Sequence, residues 1–546
     1  MPDVVIDPLT GPPHGIHGRV VTMDHRHRVI DDATLWIERG VIRRITTGSD
    51  ARPEGFDGVP VVRTGGTIYP GMIELHNHLP YDVLGMWKVP KPYRNRGQWG
   101  SHDDYRRLVS GPMKVLGKTA GYIEAVIRYV EVKMLVAGVT TSQGVALYSN
   151  ANTRRYHRGL VRNVEETNDP DLPEAESRVA DVDAADADSF LTRLRRGKKL
   201  ILHLAEGVDE TARGHFLALR TSNGGWAVTP ELVGIHAAGL VEEDFAVLAD
   251  NGASIVWSPS SNLMLYGDTA RIDAARREGV TVALGSDWSP TGSKNLLAEL
   301  SVAKAAAAAF GWDLSDRDLA DMVTRNAARA VGWDKALGSL EEGKRADLFV
   351  LHGRSGDPYE RLVDANERSV VLVVVNGVPR YGQSRFMPPG SEPVLVGGSR
   401  RSLYLEQETA DPVVAEISFS EAVRRLEDGM ANIVALARAL EEAAGSVSAA
   451  LGGTRGIPPA TELGIARGGE RWVIELEEET PDATSTRPSL GRDELLPDLG
   501  GFRAAEKLSE ILGPMELDPL TVVDDPSYGR RLRSQPNLPT ELLSHL

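Results

Sequence analysis

The stretch GMIELHNHL, residues 71–79, ends an apolar run in two histidines one residue apart. In an extended strand residues i and i+2 face the same side, so His76 and His78 present both imidazoles to one side of the strand's end. Such a pair can share one metal ion, or it can simply close a strand with polar residues. The other strand ends of the chain decide between these readings.

Downstream of this stretch, apolar runs alternate with amphipathic helical stretches. The strand-like runs are TIYPGMIELHNH, GVTTSQGVA, GLVRNVEE, SRVADVDA, KLILHLAEG, LVGIHAAGL, ASIVWSPSS and TVALGSDWS, with DADSFLTRLRRG and VEEDFAVLADNG as helices between the later ones. This alternation predicts βαβ units and a parallel sheet. Eight strands over about 270 residues predict an α/β fold with a (β/α)8 TIM-like barrel, whose typical length is about 250. SRVADVDA is the least regular of the eight, and an open six-stranded sheet is the competing arrangement.

Residues 17–66 read as short strands and turns, and the same texture returns in ADLFVLHG and SVVLVVVNGVPRYG, within residues 346–382. Residues 391–546 look appended. Ser418 and Glu421 form a capping box. Phe419, Val423, Leu426, Met430, Ile433, Ala437 and Leu440 then recur at spacings of four and three, which predicts one helix with one apolar stripe. The stripe is expected to pack on its own chain, with a dimer seam as the alternative. The proline-rich end, MELDPLTVVDDPSYGRRLRSQPNLPTELLSHL, reads as a strap across the molecule or an arm onto a neighbour.

With 546 residues, 41% hydrophobic and 25% charged, the chain is expected to be soluble and multi-domain. A net charge of −16 offers no basic surplus for phosphates, so no nucleic-acid partner is expected. The chain has no cysteine, which excludes disulfides, thiol nucleophiles and Cys-ligated zinc, and leaves His, Asp and Glu to hold a transition metal. MPDVVIDPLTGPPHG lacks the pattern of a signal peptide, and no apolar run reaches membrane-spanning length. A cytoplasmic protein with no membrane association is expected, and the acidic balance and C-terminal arm are compatible with a homo-oligomer.

In a barrel of this kind the reactive groups come from the C-terminal ends of the strands. LILHLAEG carries His203 with Glu206 three residues on, LVGIH ends in His236, and VALGSD ends in Asp287. Four histidines and an aspartate at the same end of successive strands point to a metal site. Imidazole and carboxylate donors suit Zn²⁺ or Fe²⁺. A suitable metal brings the pKa of water from about 15.7 to about 7, which favours hydroxide at neutral pH by on the order of 12 kcal/mol.

This layout resembles the amidohydrolase superfamily over roughly residues 17–390. The pieces are IELHNHL, GVTTS, HLAEG, GIH and GSD, followed by TRNAARAVGW and GSLEEGKRADLFVL. HLAEG and SPSSNLML look most like the cytosine/guanine-deaminase and triazine-hydrolase branch. The resemblance implies a composite β-sandwich from residues 1–66 and 337–390 beside a barrel at 67–336, with 391–546 as a C-terminal extension. It implies one divalent metal, Zn²⁺ first and Fe²⁺ as the alternative, held by His76, His78, His203 and Asp287. Glu206 would be the acid/base, His236 would hydrogen-bond the metal-bound water or polarise the substrate, and Asp287 would also carry a proton to the leaving group. Two-metal relatives need a bridging carboxylated Lys or a Glu from the third or fourth strand. SRVADVDA has no lysine, and Glu165 and Glu166 are the remaining candidates for such a bridge.

The substrate side is less defined. LPYDVLGMWKVPKPYRNRGQW, residues 79–99, is rich in aromatic and basic residues, so Tyr81, Trp87, Tyr93, Arg94 and Trp99 either line a lid or pack on the barrel rim. Gln143 and Arg162 are candidates for anchoring polar atoms of the substrate, with a buried salt bridge as the alternative for Arg162. The polar motif that the deaminases carry after the fourth strand is missing here. The expectation is a mononuclear metal-dependent hydrolase that cleaves a non-peptide C–N bond of a small, cyclic molecule by attack of metal-bound hydroxide. A decarboxylase or dehalogenase on the same scaffold and a non-catalytic binding protein are the alternatives.

Overall fold

A computed structural model of the chain describes residues 9, 11–100, 102–144, 160–167, 169–178, 187–407, 415–450 and 507–545. The N-terminal segment forms strands β1 (His14–Val21), β2 (Val29–Glu38), β3 (Val41–Thr47) and β4 (Val61–Pro70). Arg39 and Gly40 both adopt positive φ between β2 and β3, which gives the two-residue turn whose twist matches a tight hairpin.

The chain then enters the α/β part. Strands β5 (Met72–Glu74), β6 (Val139–Ser142) and β7 (Arg162–Asn163) pair in parallel. Strands β8 (Glu176–Arg178), β9 (Leu200–Leu204), β10 (Leu232–His236), β11 (Ser254–Trp257) and β12 (Thr281–Leu284) form a second parallel sheet in chain order. The two sheets meet at both ends. Beyond β7, the Ala175 N–H donates to the Val164 carbonyl at 2.8 Å, and beyond β5 and β12, Asn77 and Asp287 form a parallel bridge. Strands β9, β10 and β11 are buried at every position, as expected for strands covered on both faces. Ile73, Ile201, Val233, Val256 and Ala283, one from each of five strands, share one core. The fold is TIM-barrel-like. The fourth strand is short and precedes most of SRVADVDA, residues 177–184, of which 179–184 lie outside the described part.

After the last of these strands, β13 (Leu348–His352) pairs antiparallel with β4 and joins the two ends of the chain into one sheet. Strands β14 (Val370–Val375), β15 (Val378–Gly382), β16 (Glu392–Val396) and β17 (Ser399–Leu403) complete a nine-stranded sheet. Ile16, Leu35 and Ile68 from the first segment pack in one core with Leu348, Val350 and Leu372 from the second. The sheet runs on to Leu403, past residue 390, where the sequence suggested that this part would end.

The helix expected after Ser418 is two helices, Phe419–Ala431 and Ile433–Ala450, broken at Asn432. Its predicted stripe is buried at Phe419, Leu426, Met430, Ile433 and Ala437. The stripe packs on the chain itself, with the Phe419 ring stacked 6.0 Å from Tyr129 of the helix Tyr122–Val136. The C-terminal residues 507–545 also lie on the chain as a strap: Asp518 N–H donates to the Val83 carbonyl at 3.0 Å, and Met515 N–H to that of Met430 at 3.0 Å. Among the described residues, no helix is long and apolar enough to cross a membrane.

Candidate active site

The strand ends bring together His76, His78, His203, His236 and Asp287, all buried. Asp287 Oδ1 lies 3.3 Å from His76 Nε2 and 3.3 Å from His78 Nε2. Ligand atoms of His76, His203 and His236 lie within 4.8 Å of one another. In a tetrahedral site with bonds of about 2.0–2.1 Å, neighbouring donor atoms are about 3.3–3.4 Å apart, so the carboxylate and two imidazoles stand at ligand spacing. His76 Nε2 and Asp287 Oδ1 are buried and have no hydrogen-bond partner among the described residues. Buried polar atoms without partners are costly, and a cation between them removes that cost. The residues therefore fit one divalent ion.

The backbone holds this geometry under strain. His236 and Asp287 sit at φ of 68° and 64°, a left-handed conformation uncommon outside glycine and concentrated at functional sites. Gly285 lets the end of β12 lie against β5, because a Cβ there would stand 2.5 Å from that of His76.

Burial sets the protonation of the donors. Desolvation pushes His78 down to about 3, and holds His76 and His203 well below the usual histidine range, with the Arg96 cation adding to the effect. Neutral imidazoles keep the lone pair that a metal needs. Burial raises Asp287 well above the usual carboxylate range, with the nearby Glu206, Glu299 and Asp82 carboxylates acting in the same direction.

The helix Pro259–Tyr266 and the residue before it orient the site from outside. His76 Nδ1 is 2.7 Å from Ser258 Oγ, and His236 Nδ1 donates to Asn262 Oδ1 at 2.8 Å. Each contact turns the ring so that Nε2 faces inward. The Tyr266 hydroxyl donates to Glu206 Oε1 at 2.7 Å and accepts from Trp99 Nε1 at 3.0 Å. The other oxygen, Glu206 Oε2, lies 3.7 Å from His236 Nε2 and 3.6 Å from Arg96 Nε. Glu206 thus stands beside the histidine cluster without belonging to either potential metal-binding group.

Tyr81 and Trp87 enter an aromatic cluster over the site. Trp288 lies 5.0 Å from the His78 ring, 5.3 Å from Tyr81 and 6.2 Å from Trp99, and Tyr105 stands 6.3 Å from Trp87. Of the basic residues in that loop, Arg96 is the one that reaches Glu206, whereas Arg94 donates outward to the Val208 carbonyl at 2.9 Å. Spacing alone does not tell which of the two turns inward. Ser258 and Asn262, within the SPSSNLML stretch, and Tyr266, directly after it, were equally hidden, and Trp288 is visible only as the neighbour of Asp287.

Gln143 and Arg162, the candidate anchors for substrate, are engaged with the protein's own groups, Arg162 in the buried salt bridge that was its alternative. Gln143 Oε1 accepts from the Asn77 N–H at 2.9 Å and its Nε2 donates to Glu165 Oε1 at 3.3 Å, so it braces the backbone between the two histidines. Arg162 pairs with Thr141, which pairs with Ile73, and so stands three residues below the His76 level. There its guanidinium forms a buried salt bridge with Asp347 and donates to Asn376 Oδ1 at 2.7 Å, tying the strands to the nine-stranded sheet. Arg162→Met leaves the Asp347 charge buried, and is expected to cost about 3–5 kcal/mol of stability in denaturant unfolding, with the metal content of the folded protein unchanged. Glu165 Oε1 also accepts from the Gly144 N–H at 2.9 Å, so this acid, one of the two candidates for a bridge between two metals, has one oxygen engaged with the backbone.

The chain is similar to several known proteins. The chain is 30% identical over 156 residues to the 5-methylthioadenosine/S-adenosylhomocysteine deaminase of Thermoanaerobacter pseudethanolicus, covering 27% of this chain and 36% of that one. It is 26% identical over 369 residues to the enzyme of the same name from Moorella thermoacetica, covering 60% of this chain and 84% of that one. With the first of these relatives, the match spans about a third of the relative's length. Among solved structures, atrazine chlorohydrolase TrzN from Arthrobacter aurescens TC1, complexed with zinc, superposes with a TM-score of 0.54 at 19% identity, over 76% of this chain and 98% of that one. At that identity the likeness concerns the fold. The family model described as the amidohydrolase family matches residues 67–380, more than half of the chain and the part that carries every residue of the histidine–aspartate cluster, and the protein belongs to that family.

Proposed function

We propose that the protein is a hydrolase with a single divalent metal, zinc before iron, that cleaves a non-peptide C–N bond of a small cyclic molecule by deamination or amide hydrolysis. In this reading the eight parallel strands act as one closed barrel, with His76, His78, His203 and Asp287 as ligands. The observation that carries it is the placement of the Glu206 carboxylate 3.7 Å from His236 Nε2 at the edge of a buried cluster at ligand spacing. A divalent ion held there would supply Lewis acidity, lowering the pKa of a bound water to about 7.

The chain's own residues do the rest. Tyr266 fixes one oxygen of Glu206, leaving the other to take a proton from the attacking water and pass it to the substrate nitrogen. His236, locked through Nδ1 on Asn262, presents Nε2 to the polar atom of the substrate at the reacting carbon. Asp287 lies within reach to carry the second proton to the leaving amine. Tyr81, Trp87, Trp99 and Trp288 offer flat apolar faces that suit a planar ring and keep bulk water away.

The test is elemental analysis of protein purified without added metal or chelator, followed by assays with 5-methylthioadenosine, S-adenosylhomocysteine and atrazine. About one zinc per chain and ammonia release from an aminated ring are expected. Chloride from atrazine with no ammonia from any compound would replace C–N by C–Cl cleavage. Failure to take up metal would overturn the reading.

A further inference from the structure

We propose that residues 515–537, beyond the part of the chain matched by the family, form a wall of the active site, with Gln535, Asn537 and Asp518 as positioning residues for loop 79–99. This rests on the site described above being the reactive one.

The loop follows directly on His78 and carries Trp87, Arg96 and Trp99. Its regular structure is limited to single 3-10 turns at Leu79–Val83 and Arg96–Gln98. A segment of that length over the mouth of a fold is mobile unless other elements pin it. The strap pins it at three places. The Gln535 side chain lies against the loop as a neighbouring strand would: its Oε1 accepts from the Val89 N–H at 3.1 Å and its Nε2 donates to the Trp87 carbonyl at 3.0 Å. Asn537 Nδ2 donates to the carbonyls of Lys91 at 3.2 Å and Met264 at 2.7 Å, joining the loop to the helix that orients His236 and Glu206.

Asp518 supplies the third pin. Lys133 Nζ donates to Asp518 Oδ2 at 2.8 Å, to the Asp82 carbonyl at 2.7 Å and to Ser289 Oγ at 2.8 Å. Ser289 N–H in turn donates to Asp82 Oδ1 at 2.7 Å. Lys294 is a second buried cation on the same carboxylate. Asp82 lies four residues after His78 and Ser289 two after Asp287, so the carboxylate that both lysines share, with Asp525 a second partner of Lys294, backs the two loops leaving the histidine cluster. The consequence falls on Arg96 and Trp99, which meet Glu206 and Tyr266 only if the loop is held in register with the helix.

The experiment is hydrogen–deuterium exchange on the full-length, metal-loaded protein, comparing wild type with Gln535→Ala. Losing both amide bonds is expected to speed exchange in residues 84–99, Val89 above all, by about tenfold or more, with residues 200–204 and bound metal unchanged. No change at 84–99, or an equal rise throughout the chain, overturns the proposal. Asp518→Ala removes the carboxylate shared by two buried lysines, leaving Lys294 with Asp525 alone, and can fail to fold, so Asn537→Ala is the second variant, with the same expected pattern. Where the assays above yield a substrate, Gln535→Ala should raise KM more than it lowers kcat, and Gln535→Glu, which keeps the acceptor for Val89, should fall between. Absence of any hydrolytic activity in the wild type would defeat the proposed function while leaving the exchange result to decide this one.

Discussion

Glu206→Gln will keep its metal and its fold and lose turnover by about 10²–10⁴-fold, the usual contribution of a positioned acid/base. Glutamine has nearly the same shape. Its carbonyl can still accept from the Tyr266 hydroxyl, which stands 2.7 Å from the carboxylate in the native protein. It cannot take up a proton, and that is the function assigned to the oxygen facing His236. Because Glu206 is not in either potential metal-binding group, elemental analysis of the variant should match the wild type. Activity within a factor of about ten of wild type would remove Glu206 from proton transfer and leave the reaction to other groups.

His76→Ala should have a different signature: loss of metal first, and of activity as its consequence. His76 is common to both potential metal-binding groups, and its Nε2 is 3.3 Å from Asp287 Oδ1. Alanine removes that donor and the contact to Ser258, and leaves the Asp287 carboxylate with one fewer neighbour to share a cation. Without the metal, the acidity of the attacking water returns toward its free value, about 9 pKa units higher, so the loss should exceed that of Glu206→Gln. Treatment of the wild type with a chelator should reproduce it, and added Zn²⁺ should restore the wild type but not the variant. The metal-free forms should also unfold at lower temperature, since an ion bound only by the folded state stabilises it by mass action. A His76→Ala protein that retains about one metal per chain would show that the ion sits elsewhere in the cluster.

These two predictions use residues that were legible in the sequence, and for a common reason. His76, His78, His203, His236 and Asp287 each lie within a few residues of the end of an apolar strand, and strand ends are where periodicity and composition change together. The parallel α/β order was readable on the same grounds, because fully buried strands such as Leu200–Leu204 and Leu232–His236 are continuous apolar runs. Arg162 shows the limit of this reading. An arginine in a short polar run looks the same whether it faces the site or the opposite end of the strand, and only pairing with Thr141 and Asp347 places it. The helix after Ser418 shows another limit: the apolar stripe passes through Asn432 without a change of spacing, yet the backbone breaks there.

By itself, then, the sequence determined which residues can bind a metal, that no cysteine shares the task, and that their carriers are buried strands in parallel order. Those facts follow from side-chain chemistry and from local periodicity, which neighbouring residues alone define. The tertiary structure decided which groups surround the histidine–aspartate cluster: Arg96 rather than Arg94 beside Glu206, Tyr266 and Asn262 holding Glu206 and His236, and the C-terminal residues Asp518 and Gln535 bracing a loop more than 400 positions away in the chain. Such contacts depend on rotamers, register and the path of long connections. They are set by packing between distant segments, which leaves no periodic signal within any one of them.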